Sequence, residues 1–125
     1  MSRKPKRILV VDDDPDIRQV LVDRLSSYGY AVGTATDGRE ALEAQRRCDF
    51  DGMLLDLRMP EIDGMEVLRQ VRARYPEMRV VMITGSTSSE SLAQAIAHGA
   101  QAYLIKPFAL AQLKQVVEQY FGPAG

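Results

Sequence analysis

The stretch Ile8-Leu9-Val10-Val11-Asp12-Asp13 decides the fold of this chain. Four aliphatic residues, most of them β-branched, predict a short buried strand. The strand ends abruptly in two acids. This pattern predicts that a polar site begins where the strand leaves the sheet.

Four more apolar runs of similar length follow along the chain. They are Tyr30-Ala31-Val32, Met53-Leu54-Leu55, Val80-Val81-Met82-Ile83 and Ala102-Tyr103-Leu104-Ile105. The segments between them carry apolar residues at helical spacing, as at Ile17, Val20, Leu21 and Leu25. Strict alternation of strands and helices predicts an α/β fold in which helices cover both faces of a parallel sheet.

Start and stop signals flank the predicted helices. Asp14 directly precedes Pro15, which favours a helix start. Three pairs match the capping box: Asp37 with Glu40, Asp63 with Glu66, and Thr87 with Glu90. Glycines lie where C-terminal caps belong, at Gly29, Gly99 and Gly122, and Pro76 is expected to end the third helix.

Composition limits the class of protein. The chain has 125 residues, 46% hydrophobic and 26% charged, which predicts one folded domain over 1–125. The formal net charge of -1 gives no field that would attract nucleic acid or a membrane. Residues 1–6 are interpreted as a short basic, solubilising tail. A single cysteine, Cys48, excludes an internal disulfide, and because no leader or membrane-spanning run is visible, we expect a cytoplasmic protein.

Polar residues follow the predicted strands at their carboxyl ends, where ligands bind in open α/β sheets. They are Asp12 and Asp13 after the first strand, Asp56 after the third, Thr84 at the end of the fourth, and Lys106 with Pro107 after the fifth. Three carboxylates in one cleft repel each other, so either one of them has a raised pKa or a cation lies among them, and oxygen ligands suit Mg²⁺. With an ammonium and a hydroxyl nearby, Asp56 is expected to act as a nucleophile that forms an aspartyl phosphate.

These motifs resemble the response-regulator receiver family. The resemblance rests on Ile8 to Asp13, on Leu54-Leu55-Asp56-Leu57-Arg58-Met59-Pro60 with Asp63-Gly64, on Ile83-Thr84-Gly85 and on Tyr103-Leu104-Ile105-Lys106-Pro107-Phe108. It covers nearly the whole chain. It implies a doubly wound (β/α)5, flavodoxin-like three-layer sandwich with a five-stranded parallel sheet in the order 2-1-3-4-5.

The resemblance also implies a role for each matching residue. Asp13, Asp56 and the backbone carbonyl of Arg58 would ligate Mg²⁺, and Asp12 would act largely through water. Thr84 and Lys106 would contact the phosphoryl oxygens. On activation Thr84 would move toward the phosphoryl group, and Tyr103 would change its burial.

The partners implied by the resemblance are a sensor histidine kinase or a histidine phosphotransfer protein as phosphoryl donor, and an output domain or partner protein. The surface of the fourth helix, fifth strand and fifth helix would switch on phosphorylation. The chain would be a phosphoacceptor with slow autodephosphorylation rather than an enzyme, and a monomer or phosphorylation-dependent dimer that contacts neither membrane nor nucleic acid. The sequence contains no nucleotide-binding motif, so the phosphoryl group must come from outside the chain.

Some residues in these motifs have simpler interpretations, and two other functions stay open. Asp14 is better interpreted as a helix cap, and His98 as a surface residue before Gly99. A haloacid-dehalogenase-like phosphatase would use Asp12 as its nucleophile, although the chain leaves no room for a cap domain. A flavodoxin-like cofactor carrier would share the fold but would need a Ser/Thr/Gly-rich phosphate loop where this chain has acids.

Overall fold

The first apolar run forms an inner strand of the sheet. In a computed structural model, which describes residues 5–57, 64–85 and 89–124 (over 89–92 the backbone alone), it is β1 (Arg7–Val11). It lies between β2 (Ala31–Ala35) and β3 (Gly52–Asp56), and both pair with it in parallel. β4 (Arg79–Thr84) pairs with β3, and β5 (Ala102–Ile105) completes the sheet at its far edge. The order β2-β1-β3-β4-β5 confirms the predicted topology.

A helix follows each strand, as the alternating pattern predicts. The helices are α1 (Pro15–Ser27), α2 (Gly38–Arg47), α3 (Gly64–Arg74), α4 (Ser89–Ala97) and α5 (Leu110–Phe121). None of the helices in the described part of the chain combines the length and the apolar character that crossing a membrane requires.

The side chains of β1 point alternately into two cores. Leu9 and Val11 face the layer of α2 and α3, where Leu68 is fully buried. Ile8 and Val10 face the opposite layer, which α1 and α5 cover. Because the inner strands are buried on both faces, their sequences are continuous apolar runs rather than alternating ones. Among the described residues, the buried polar side chains other than Gln45 on α2 lie at strand ends: Asp12, Asp56 and Thr84.

The predicted caps at Asp14 and Asp37 are present in the structure. The carboxylate of Asp14 accepts hydrogen bonds from the first turn of α1, and that of Asp37 accepts one from Glu40 N at 2.8 Å. The carboxylate of Glu40 accepts from Thr36 rather than from Asp37, so only half of that capping box forms. The glycines at positions 29, 99 and 122 adopt positive φ. Asp63 and Thr87 lie outside the described residues.

Two details differ from the sequence-based expectation. β2 begins one residue after Tyr30 and runs on through Gly33 to Ala35, because pairing with β1 extends it beyond its apolar run. Lys6, which the sequence places in the basic tail, is held by the fold: its Nζ donates to Phe121 O at 2.6 Å and its backbone N to Ala124 O. An ammonium is favourable at the C-terminal end of a helix such as α5. Residues 1–4 lie outside the described residues.

Candidate phosphoryl-acceptor site

Asp12 directly follows the carboxyl end of β1, and its side chain is fully buried. Its Oδ1 accepts a hydrogen bond from Asp14 N at 2.9 Å, and its Oδ2 accepts one from Lys106 Nζ at 2.9 Å. Its backbone N–H donates to Ala35 O. With both carboxylate oxygens bonded, the orientation of Asp12 is fixed.

The two acids after Asp12 have different environments. The Asp13 side chain is exposed, and its carboxylate accepts no hydrogen bond from the described part of the chain. Asp14 turns to α1, where its Oδ1 accepts from Asp16 N at 2.9 Å and from Ile17 N at 3.4 Å. Asp14 is therefore a helix cap, as predicted, and stands apart from the candidate site.

Asp56 ends β3 and is only 5% exposed. The sheet register explains its place beside the first acids. Val11, the last residue of β1, pairs with Leu55 in β3, so Asp12 and Asp56 leave neighbouring strands at the same level. Tertiary pairing thus brings together two acids that are far apart in sequence.

Thr84 and Lys106 enter through the next two strands. Thr84 is fully buried at the end of β4 and pairs with Ile105, the last residue of β5. The backbone N–H of Lys106 donates to Thr84 O at 2.7 Å. The peptide bond between Lys106 and Pro107 is cis. The predicted strand-end residues Asp12, Asp13, Asp56, Thr84 and Lys106 therefore all lie at the carboxyl end of the parallel sheet.

The ammonium of Lys106 lies between two carboxylates, 2.9 Å from Asp12 Oδ2 and 3.4 Å from Asp56 Oδ2. Burial alone would lower the pKa of Lys106. The hydrogen bond that Lys106 donates to Asp12, the negative charges of Asp56 and Asp12, and the hydrogen bond donated to Asp56 outweigh burial and raise that pKa above its usual value. Lys106 is a persistent cation at this edge.

The acid cluster has the composition of a site for a hard cation. Carboxylate oxygens of Asp12, Asp13 and Asp56 lie within 4.8 Å of one another. Three carboxylates against one ammonium leave an excess of negative charge, which a divalent cation would neutralise. All available donors are oxygens, the set that Mg²⁺ takes. Arg58, whose carbonyl is a predicted ligand, lies outside the described residues.

Tyr103 and His98 lie away from the cluster. The Tyr103 side chain projects from the edge strand β5 and is 41% exposed. His98 is exposed at the end of α4, directly before Gly99, as its surface interpretation predicts.

Two residues near the cluster had no role in the sequence-based prediction: Arg18 was not singled out, and Gly64 was named only as part of a motif. Arg18 Nη1 donates to the backbone carbonyl of Asp12 at 2.8 Å. A Cβ on Gly64 would lie 2.2 Å from Asp56 O, so α3 begins in direct contact with the backbone at the end of β3. Arg18 lies six residues after Asp12, near the start of the helix that follows the acids. That position could have indicated a contact with the loop, because helical side chains lean toward the N-terminus.

The comparisons with known proteins agree with this geometry. The family model of the response regulator receiver domain matches residues 8–118, and the chain belongs to that family. It is 43% identical over 109 residues to the response regulator MprA of Mycolicibacterium vanbaalenii, covering 87% of this chain and 47% of that protein. The chain spans about half the length of such relatives.

Solved structures show the same fold. The chain is similar to the chemotaxis protein CheY4 of Vibrio cholerae, with a TM-score of 0.88, 36% identity, and coverage of 93% of this chain and 98% of that one. It is also similar to the response regulator TrrA of Thermotoga maritima in complex with Mg²⁺-BeF, with a TM-score of 0.83, 36% identity, and coverage of 91% and 97%. Nothing in these comparisons supports the phosphatase alternative, and its nucleophile, Asp12, has both oxygens hydrogen-bonded.

Proposed function

We propose that Asp56 accepts a phosphoryl group from a phosphohistidine on a sensor kinase or histidine phosphotransfer protein. The observation that carries this proposal is the nearly buried Asp56 carboxylate, with the Lys106 ammonium 3.4 Å away and two further carboxylates within 4.8 Å. In the transfer, an Asp56 oxygen attacks phosphorus and the P–O bond forms as the P–N bond breaks. The departing imidazole nitrogen keeps the electron pair and takes up a proton.

The residues around Asp56 would have different roles in the phosphoryl transfer. Asp12 and Asp13, with Asp56, would hold Mg²⁺, which neutralises charge on the phosphoryl oxygens and the carboxylates when bound. The likeness to TrrA, solved with Mg²⁺-BeF, supports this assignment. Lys106 would supply a positive charge next to the acceptor oxygen, and Thr84, buried at the end of the neighbouring strand, would donate to a phosphoryl oxygen.

Phosphorylation would add roughly one and a half to two negative charges at a buried position, by analogy with other phospho-residues. We expect Thr84 to reorient toward that charge, which leaves room for Tyr103 to turn inward from its exposed position. This movement would alter the surface of α4, β5 and α5 that an output domain or partner protein reads. The chain would then act as a switch with slow autodephosphorylation and not as an enzyme with turnover.

A labelling experiment tests the acceptor. The protein is incubated with Mg²⁺ and acetyl phosphate, a small phosphoryl donor, and its intact mass is measured. We expect one phosphoryl adduct, lost in Asp56→Asn and in EDTA. Asp14→Asn is the matched control because asparagine also caps a helix and Asp14 lies outside the cluster. An adduct that survives Asp56→Asn and disappears in Asp12→Asn would contradict the proposal.

A fluorescence experiment tests the switch separately. The chain has no tryptophan, so Tyr103→Trp introduces a single reporter. We expect its emission to shift to shorter wavelength when Mg²⁺ and beryllium fluoride, a stable stand-in for a phosphoryl group, are added. The same reporter combined with Asp56→Asn should not respond. An unchanged emission in the protein that retains Asp56 would contradict the inward movement of Tyr103.

A further inference from the structure

Arg18 contacts the loop that carries the metal-binding acids. It is on the second turn of α1, and its backbone N–H donates to Asp14 O. Side chains on a helix lean toward its N-terminus, so the long arginine side chain reaches back over the loop between β1 and α1. There Nη1 donates to the carbonyl of Asp12 at 2.8 Å. That carbonyl lies beyond the last residue of β1.

The Asp12 carbonyl belongs to the peptide unit that joins Asp12 to Asp13. The Asp12 side chain is already held at both oxygens and its N–H is bonded to Ala35 O. The bond from Arg18 fixes the remaining polar group of this residue. As a result, the plane of the Asp12–Asp13 peptide is held, which places the Asp13 Cα and restrains where the Asp13 side chain leaves the backbone.

Asp13 depends on this arrangement more than the other two acids do. The Asp12 carboxylate is held by Lys106 and by Asp14 N, and Lys106 contacts Asp56 as well. The Asp13 carboxylate receives no hydrogen bond from the described part of the chain, although an oxygen of it lies within 4.8 Å of the others. Within the described part of the chain, the position of the Asp13 carboxylate therefore depends mainly on its backbone.

We infer that Arg18 is a positioning residue for the divalent cation: by fixing the Asp12–Asp13 peptide, it holds the Asp13 carboxylate in the ligand cluster. This inference rests on the proposed function, which requires the same cation. Mg²⁺ tolerates little deviation from octahedral geometry, so a small rotation of this peptide weakens binding. Residues that orient metal ligands typically contribute ten- to a hundredfold to metal affinity.

The sign of the effect separates positioning from simple electrostatics. Arg18 is a cation close to the cluster, and its charge by itself opposes the binding of another cation. Loss of that charge alone would tighten metal binding. Loss of a positioning bond weakens it. A variant that binds the cation less tightly after losing a positive charge is therefore explained by geometry.

The experiment measures Mn²⁺ affinity directly, by electron paramagnetic resonance of free Mn²⁺ with no phosphoryl donor present. We expect Arg18→Met to weaken Mn²⁺ binding by about tenfold. Arg18→Lys keeps the charge and should fall between Arg18→Met and the unmodified protein. Arg24→Met is the matched control: it removes the same charge from the exposed last turn of α1 and should leave affinity unchanged.

Unfolding temperatures in EDTA identify a merely structural role. A fall in that temperature without loss of Mn²⁺ affinity would overturn the inference, as would unchanged or tighter Mn²⁺ binding in Arg18→Met. Equal weakening in Arg24→Met would overturn it too. If Arg18→Met does not fold, Arg18→Lys decides the question. Failure of the unmodified protein to bind Mn²⁺ or to accept a phosphoryl group would refute the proposed function instead.

Discussion

A methyl group at Gly64 should disrupt the acceptor strand. Gly64 is the first residue of α3, and its N–H donates to Leu57 O at 2.9 Å. A Cβ built there would lie 2.2 Å from Asp56 O, 2.7 Å from Leu57 Cα and 2.9 Å from Leu57 O. All three atoms belong to the backbone, so no side-chain rotation relieves the contact. Relief requires a movement of about 1 Å between α3 and the end of β3.

The magnitude follows from two opposing terms. Overpacking in a well-filled site costs about 1–3 kcal/mol. Replacing glycine by alanine in a helix recovers at most about 1 kcal/mol. We therefore expect Gly64→Ala to lower the free energy of unfolding by about 1–2 kcal/mol, which corresponds to a fall of roughly 3–10 °C in Tm for a domain of this size.

Thermal unfolding followed by circular dichroism in EDTA measures this change. Gly85→Ala is the matched control, since a Cβ there meets no atom within 4 Å, and it should stay within about 0.5 kcal/mol of the unmodified protein. Gly64→Ala should also slow labelling by acetyl phosphate, because the displaced carbonyl belongs to Asp56, the proposed acceptor. A Gly64→Ala variant with an unchanged or higher Tm would refute the reasoning.

Three further changes test other parts of the structure. Burial, and then the charge of Glu118, raise the pKa of the Tyr30 phenol. The neutral phenol therefore contributes its full share to the stability of the protein below about pH 10, and this contribution is lost as pH rises through the folded-state pKa. The free energy of unfolding in urea should fall less steeply with alkaline pH in Tyr30→Phe, and parallel pH profiles of the two proteins would contradict this. Arg72 donates hydrogen bonds to three backbone carbonyls. Arg72→Met should therefore lower the free energy of unfolding, measured in urea, by about 2–4 kcal/mol, whereas the exposed control Arg74→Met should change it little. Asp13→Asn removes one of three mutually repelling carboxylates and should stabilise the metal-free protein by about 1 kcal/mol; a less stable variant in EDTA would argue against repulsion in the cluster.

The strand-end residues could be predicted because position along a parallel strand determines position in the sheet. Once Val11 and Asp56 end their strands, pairing of β1 with β3 and of β3 with β4 places the following side chains at one edge. The end of β2 could not be predicted, because Gly33 and Thr34 interrupt the apolar pattern. They join the strand through backbone pairing with β1, which any residue but proline can make.

The sequence by itself determined the alternation of strands and helices, and the chemistry gathered at the strand ends. Only the tertiary structure decided which partners the charged groups take. Lys106 lies nearer to Asp12 than to Asp56, Arg18 bonds a carbonyl of the preceding loop, and Arg72 reaches Gly99 across the fold. The physical reason is that burial follows a periodic pattern in the chain. A bond from a long side chain to a distant backbone atom depends on three-dimensional distance and leaves no such pattern.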